Sequence, residues 1–321
     1  MNKQITVTIP ATSANLGPGF DCLGLALALY NRITFTQVAT PGLTIEVTGL
    51  DAEKVPTDET NLVYQTANCL FERFGKRPSG LHIQQENNIP VGSGLGSSST
   101  AVLAGLLGAN ALLGNPLTRA ELLTQATAEE GHPDNVAPAL LGGLVLGVMH
   151  DDQVHIELLP IATQQVAIVT PDFHLLTKDA RAALPTQISR QDAIFNASRL
   201  PLLIRALETA DYATLTLAMQ DRLHQPYRLP LIPGMADAFE AAYAAGAAGV
   251  ALSGAGPSLI AFARDHHEEI VAAVTAVFQQ NGLACQSWIL PVDTTGTQIR
   301  VFQKPDSQPD GLRMNADGRR L

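Results

Sequence analysis

The chain has 321 residues, 46% of them hydrophobic and 16% charged, which is enough apolar material for two domain cores. A net charge of -10 argues against nucleic acid or an anionic membrane surface as partner, since either needs clustered Lys and Arg that the sequence lacks. Three widely spaced cysteines, Cys22, Cys69 and Cys285, fit neither a disulfide framework nor CxxC metal spacing and point to a reducing compartment.

In chain order, Gln4 to Ile9 alternates as a strand and carries no export-signal pattern, so a cytoplasmic location is expected. A glycine-rich turn from Asn15 to Gly19 leads into a β-leaning stretch from Leu23 to Val38, predicting a hairpin or meander. Asn61 to Phe74 has apolar residues at helical spacing and is closed by Gly75; Leu81 to Gln85 reads as a short strand. Pro90 to Ser97 is a glycine-rich loop that opens a helix over Ser98 to Leu113, stopped by Gly114-Asn115-Pro116. Leu117 to Glu130 and Asp134 to Leu141 follow as helices, then Gly143 to Val148 as a buried strand. The longest apolar run, Val136 to Met149, is well short of the ~20 residues a membrane span requires.

From Gln165 onwards the pattern changes. Strand 165–170, helices across 178–221, helix 235–245, strands 248–252 and 258–263, helix 266–280 and strand 284–290 reduce to β-α-β-β-α-β. That order predicts a ferredoxin-like split βαβ sandwich, one sheet with helices on one face. The expected domains are 1–160 and 161–304, and the polar residues 305–321 are expected to be a disordered tail.

The strongest local signal is Pro90-Val91-Gly92-Ser93-Gly94-Leu95-Gly96-Ser97-Ser98-Ser99-Thr100. Glycines allow close backbone approach to a ligand, hydroxyls supply donors or a metal ligand, and the following helix aims its first N–H groups at the loop. It is not a Walker loop, which needs a Lys, nor a dinucleotide fingerprint or a GxSxG elbow, whose glycines are missing at Ser97 and Thr100. A flexible turn with an ordinary serine cap is the bland alternative.

This loop resembles the phosphate loop PxxxGLGSS[AS] of the GHMP kinases. Pro10-Ala11-Thr12-Ser13-Ala14-Asn15-Leu16-Gly17-Pro18-Gly19-Phe20-Asp21 is similar to that family's first motif, and Leu252-Ser253-Gly254-Ala255-Gly256-Pro257-Ser258 to its third, in the same order. The resemblance covers roughly residues 4 to 300. It implies a two-domain α+β fold, a ribosomal protein S5-like N-terminal domain that binds ATP followed by a ferredoxin-like domain. ATP phosphates would lie on the loop Pro90 to Thr100, with Mg²⁺ held by Ser98 or its neighbours and by Glu130, beside Glu129.

Glu130-Gly131-His132-Pro133-Asp134-Asn135-Val136-Ala137-Pro138, with Thr177-Lys178-Asp179-Ala180-Arg181 and His224-Gln225-Pro226-Tyr227-Arg228, resembles the branch of the family that acts on L-homoserine. That likeness implies Asn15, Asp21, His132 and Gly256 at the acceptor, Arg181 and Arg228 on its carboxylate, and Asn135 with Arg181 at the transfer step. The chemistry suits an amino acid: a carboxylate pairs with ammonium, and arginine grips a carboxylate bidentately. Other branches place an Asp base where Asn135 stands; here Asp134, a phosphate oxygen, or positioning without a protein base remain open. The alternatives are a kinase for a mevalonate-like hydroxy acid and a non-catalytic nucleotide-binding regulator. A homodimer is expected.

Overall fold

The computed structural model describes residues 2–151, 153–162 and 164–304, so the tail expected over 305–321 lies outside the described residues. The first part of the chain supplies strands β1 (Asn2–Ala14), β2 (Leu23–Gln37), β3 (Gly42–Gly49) and β4 (Gly80–Asn87), with helix α1 (Leu62–Phe74) between the last two. Helices α2 (Ser97–Leu112), α3 (Arg119–Glu130) and α4 (Pro133–Leu141) precede the hairpin of β5 (Leu144–His150) and β6 (Gln153–Leu159). In β1, Ile5, Val7 and Ile9 turn inward while Thr6 and Thr8 alternate to the other face, so one side of the sheet becomes apolar and gathers the helices. Asn61 starts α1 by accepting from the N–H groups of Val63 and Tyr64, and a Thr118–Glu121 capping box starts α3. Helix α2 is buried nearly all round, and Gly108 lies against the Phe35 ring of β2 where any larger residue would push the helix off the sheet.

The second part comprises β7 (Gln165–Pro171), α5 (Thr177–Ala182), α6 (Arg190–Thr209), α7 (Tyr212–Ala218), the single turn α8 (Gln225–Arg228), α9 (Met235–Ala244), β8 (Gly249–Leu252), β9 (Leu259–Phe262), α10 (His267–Gln280), β10 (Cys285–Pro291) and β11 (Gln298–Lys304). Its sheet is antiparallel in the order β10-β7-β9-β8, the split βαβ arrangement expected from the element order. Helices α9 and α10 lie on one face, over Ala167, Val169, Leu259 and Ala261. The other face is also covered: Val166, Ile168, Ile260 and Phe262 pack against α6, α7 and Leu23, Leu25 and Leu27 of β2. Burial on both faces explains why β7 reads as a continuous apolar run.

Strands β3, β6 and β11 have no counterpart in the reading of the sequence. Strand β3 runs parallel to β4 at the sheet edge, and β11 crosses back from the second part to pair antiparallel with β1 from Asn2↔Lys304 to Thr8↔Gln298. The first sheet therefore runs β11-β1-β2-β4-β3, with β5 and β6 attached beyond β2. Among the described residues no helix is long and apolar enough to cross a membrane.

Candidate active site

Three glycine-bearing turns, far apart in sequence, converge between the two sheets: the turn after β1, the loop before α2 and the turn joining β8 to β9. Each is tied to the others. The Thr12 N–H donates to the Leu95 carbonyl at 3.1 Å, and the Gly254 N–H to the Ala14 carbonyl at 3.1 Å. The hydroxyls of Ser253 and Ser258 each donate at 2.7 Å to the carbonyls of Gly94 and Ser93. With these loop carbonyls bonded to neighbouring turns, the N–H groups at the start of α2 are left to face the cleft. Gly96, at φ 74°, ends the loop with no side-chain cap, so the first N–H groups of this 16-residue helix have no partner from an N-cap side chain. The left-handed backbone favours glycine, and a β-carbon there would collide with the Thr12 hydroxyl.

Beside this helix start, Ser98 Oγ donates to Glu130 Oε1 at 2.7 Å and Ser99 Oγ to Glu130 Oε2 at 2.6 Å. The donor set is oxygen only, a hydroxyl pair and a carboxylate, which fits Mg²⁺ rather than a softer metal. Glu129 lines the same cleft but takes part in neither bond.

The opposite wall is charged. Asp21, in left-handed backbone at φ 57°, accepts both Nη groups of Arg181 at 2.9 Å. Asn15 holds this turn: its Oδ1 accepts the Asp21 N–H at 2.9 Å, and its Nδ2 donates to the Gly254 carbonyl at 2.9 Å. Arg228 is 2% exposed, yet among the described residues no carboxylate pairs with it. Its guanidinium instead donates to the carbonyls of Ala180 and Gly254 and to the His224 ring. Burial pushes its pKa down, partly countered by Asp21, as for a cation short of a partner. The Phe20 ring packs against both cations, 5.1 Å from the Arg228 guanidinium and 5.7 Å from that of Arg181.

His132 is the N-cap of α4 and bonds Asp134 through Nδ1. Burial alone would lower the imidazole pKa, but the hydrogen bond and charge of Asp134, with Asp21 behind, outweigh it and raise the group above its ordinary range. Asp134 lies in the first turn of α4 and is buried, so it serves His132 and not the cap. Asn135 Oδ1 accepts from Thr12 Oγ1 at 2.8 Å.

Of the residues singled out from sequence, Asn15, Asp21, Gly92, Ser93, Gly94, Gly96, Ser97, Ser98, Ser99, Glu130, His132, Asn135, Arg181, Arg228 and Gly256 line one cleft. Leu95 and Thr100 turn into the core, because the start of α2 is packed on both sides. Pro90 and Val91 line an adjoining hollow with Asp51, Lys54, Phe173 and His174, where the Asp51 carboxylate accepts the Val91 N–H at 2.9 Å. Sequence reasoning assigned no role to Thr12, Phe20, Ser253, Asp221 or His224. Thr12, Phe20, Ser253 and His224 stand inside the quoted motifs, which is the signal that could have found them, whereas Asp221 lies outside them.

The site and the two sheets define a small-molecule kinase fold, and comparison with known proteins agrees. The family model for the GHMP kinases N terminal domain matches residues 61–143, and that for the GHMP kinases C terminal domain matches residues 203–280. The homoserine kinase of Trichormus variabilis is 46% identical over 302 residues, covering 92% of this chain and 98% of that protein. That of Moorella thermoacetica is 45% identical over 282 residues, covering 87% and 94%. Among solved structures, homoserine kinase from Cytophaga hutchinsonii superposes with a TM-score of 0.82 at 34% identity, covering 92% of this chain and 97% of the other. Leishmania major mevalonate kinase, at 17% identity over 90% and 96% of the two chains, shares the fold with a TM-score of 0.69. The chain belongs to the GHMP kinase family, and its similarity within that family is to the homoserine kinases.

Proposed function

We propose that this chain transfers the γ-phosphate of ATP to the side-chain hydroxyl of L-homoserine, giving O-phospho-L-homoserine and ADP. The observation that carries the reading is one cleft with an uncapped helix N-terminus and glycine loop on one wall, and the Asp21, Arg181 and Arg228 array on the other. The first wall suits phosphates; the second suits a zwitterion, with Asp21 for the ammonium and the arginines for the carboxylate.

The β- and γ-phosphates lie against the backbone N–H groups of the loop and of Ser97 to Ser99, and the nucleoside end extends into the hollow lined by Val91, Phe173 and His174. Ser98 and Glu130 would hold Mg²⁺, which when bound would supply charge neutralisation on the phosphates. The homoserine hydroxyl oxygen bonds to the γ-phosphorus as the bond to the bridging oxygen of ADP breaks, and the hydroxyl proton passes to a phosphate oxygen. Asn135 cannot take that proton; its amide N–H₂ orients the reacting oxygens, and Arg181 balances the charge that develops. An ADP-release assay with L-homoserine, L-serine, L-threonine, mevalonate and galactose tests the assignment. Turnover is expected with L-homoserine above all others; a preference for mevalonate or galactose overturns it.

A further inference from the structure

Behind Arg228 sits a buried polar chain, Asn196, Asp221 and His224, whose members do not themselves line the cleft. Asp221, whose side chain is fully buried, accepts the Asn196 amide at 2.6 Å and the backbone N–H groups of Leu223, His224 and Gln225 at 2.9, 2.9 and 2.7 Å. His224 is 0% exposed and stacks on Phe20 with ring centroids 4.9 Å apart. Its Nε2 lies 2.9 Å from the Gly17 carbonyl and 3.5 Å from Asp221 Oδ2. Both neighbours are acceptors only, so the ring hydrogen sits on Nε2 and the Nδ1 lone pair is bare. Arg228 Nη1 donates to that lone pair at 3.3 Å, and also to the Gly254 carbonyl at 3.2 Å. Burial lowers the His224 pKa, which keeps the ring neutral and able to accept.

We propose that His224 is a positioning residue for acceptor recognition: its bare Nδ1, fixed by the Gly17 carbonyl and backed by Asp221, holds the Arg228 guanidinium aimed at the substrate carboxylate. The inference rests on the acceptor reading given above and extends it to a residue that never meets the substrate. A neutral acceptor is what the position requires. A carboxylate there would pair with Arg228 outright and compete with the substrate, whereas imidazole orients the cation and leaves its charge available. Asp221 supplies the counter-charge at one remove, through the ring.

The test uses His224→Leu and His224→Gln in the full chain, assayed with L-homoserine and with homoserinol, which has a neutral alcohol in place of the carboxylate. His224→Leu is expected to raise the KM for L-homoserine on the order of 10-fold, the worth of a hydrogen bond to a charged group, while homoserinol kinetics and the KM for ATP stay put. His224→Gln, which offers both a donor and an acceptor, is expected to restore the preference for the carboxylate. A purely structural role would lower activity toward both acceptors alike, so a His224→Leu variant that keeps the wild-type ratio of homoserine to homoserinol activity overturns the proposal. Ring ¹⁵N NMR of the wild type reads the same geometry without catalysis: a neutral Nε2–H ring supports it, and a proton on Nδ1 overturns it even if His224→Leu fails to fold. Should the wild type turn over neither acceptor, the reading of function fails, and the tautomer measurement still decides the role of His224 toward Arg228.

Discussion

Thr12 Oγ1 donates to Asn135 Oδ1 at 2.8 Å, and this bond decides which way the Asn135 amide faces. With its oxygen engaged by the hydroxyl, the amide turns its N–H₂ toward Asp134 Oδ1 at 3.4 Å, on the cleft wall. Thr12→Val keeps the shape and removes the donor. The amide is then free to rotate, and kcat is expected to fall about 10-fold with the KM values for both substrates little changed, the signature of an interaction made in the transition state. Steady-state kinetics checks this; an unchanged kcat would show that the amide orientation does not matter to transfer.

Gly96→Ala acts on the same contact from the other side. The added methyl group collides with the Thr12 hydroxyl and comes within 3.3 Å of Asn135 Oδ1, in backbone that L-residues rarely adopt. Both nucleotide affinity and kcat are expected to drop, with the melting temperature lowered only modestly because the strain is confined to the loop. Calorimetric titration with a nonhydrolysable ATP analogue in the presence of Mg²⁺ reads the first effect. Wild-type affinity in this variant would remove the phosphates from the loop.

Glu130 and Glu129 separate cleanly in the structure, since the hydroxyls of Ser98 and Ser99 both point to Glu130. Glu130→Gln is expected to lower kcat by a factor on the order of 10² while nucleotide binding stays detectable. Glu129→Gln is expected to cost little. A Mg²⁺ titration of each variant checks the ranking, and the opposite order would move the metal ligand to Glu129.

Much of this site is legible in the sequence because its parts are local. The loop from Gly92 to Ser99 announces a helix start by composition, and Glu130 stands at the end of a helix whose Thr118–Glu121 capping box can be read directly. The order β10-β7-β9-β8 follows from element order alone, whereas the covering of the second face by α6, α7 and β2, where helices on one face were expected, depends on how the two sheets meet. What escapes is what depends on distant pairing. Strand β11 has the right alternation, but its partner β1 is at the other end of the chain, so nothing nearby in sequence identifies it. Strand β3 has a mostly exposed edge pattern that weakens its apolar signal. The orientation of Arg228 depends on carbonyls of Ala180 and Gly254 and on a ring whose tautomer is set by Gly17, none of which a linear pattern can carry.

Protonation at His132 gives a pH test of the α4 N-terminus. Its pKa is raised in the folded chain, with the Asp134 bond and charge overcoming burial. A group whose folded pKa exceeds its unfolded value stabilises the fold fully below the ordinary histidine range, near 6.5, and loses that contribution as pH rises through the folded value. Asp134→Asn removes the charge and keeps the burial, so the His132 midpoint is expected to move down, followed by the ring Hε1 signal in an NMR titration. The melting-temperature gap between wild type and variant is expected to be widest at acidic pH and to narrow above the folded midpoint. A midpoint unmoved by Asp134→Asn would mean that Asp21 and not Asp134 sustains the imidazolium.

Acceptor recognition divides unequally between the two arginines. Arg181 is paired with Asp21 and half-exposed, so the substrate must exchange partners with an existing ion pair, while Arg228 is buried with only neutral partners and gains its first countercharge from the carboxylate. A charge-assisted bond to a carboxylate is worth about 1.5 to 3 kcal/mol, roughly a 10- to 150-fold loss in kcat/KM when removed. Arg228→Leu is expected toward the upper end of that range and Arg181→Leu toward the lower, because part of the gain at Arg181 is offset by breaking its bond to Asp21. The KM for ATP should move far less in either variant. Homoserinol should be a poor substrate for the wild type and lose little further activity in Arg228→Leu, since the charge that Arg228 answers is already gone. Equal kinetics for homoserinol and L-homoserine in the wild type, or wild-type kinetics in both arginine variants, would place the carboxylate elsewhere in the cleft.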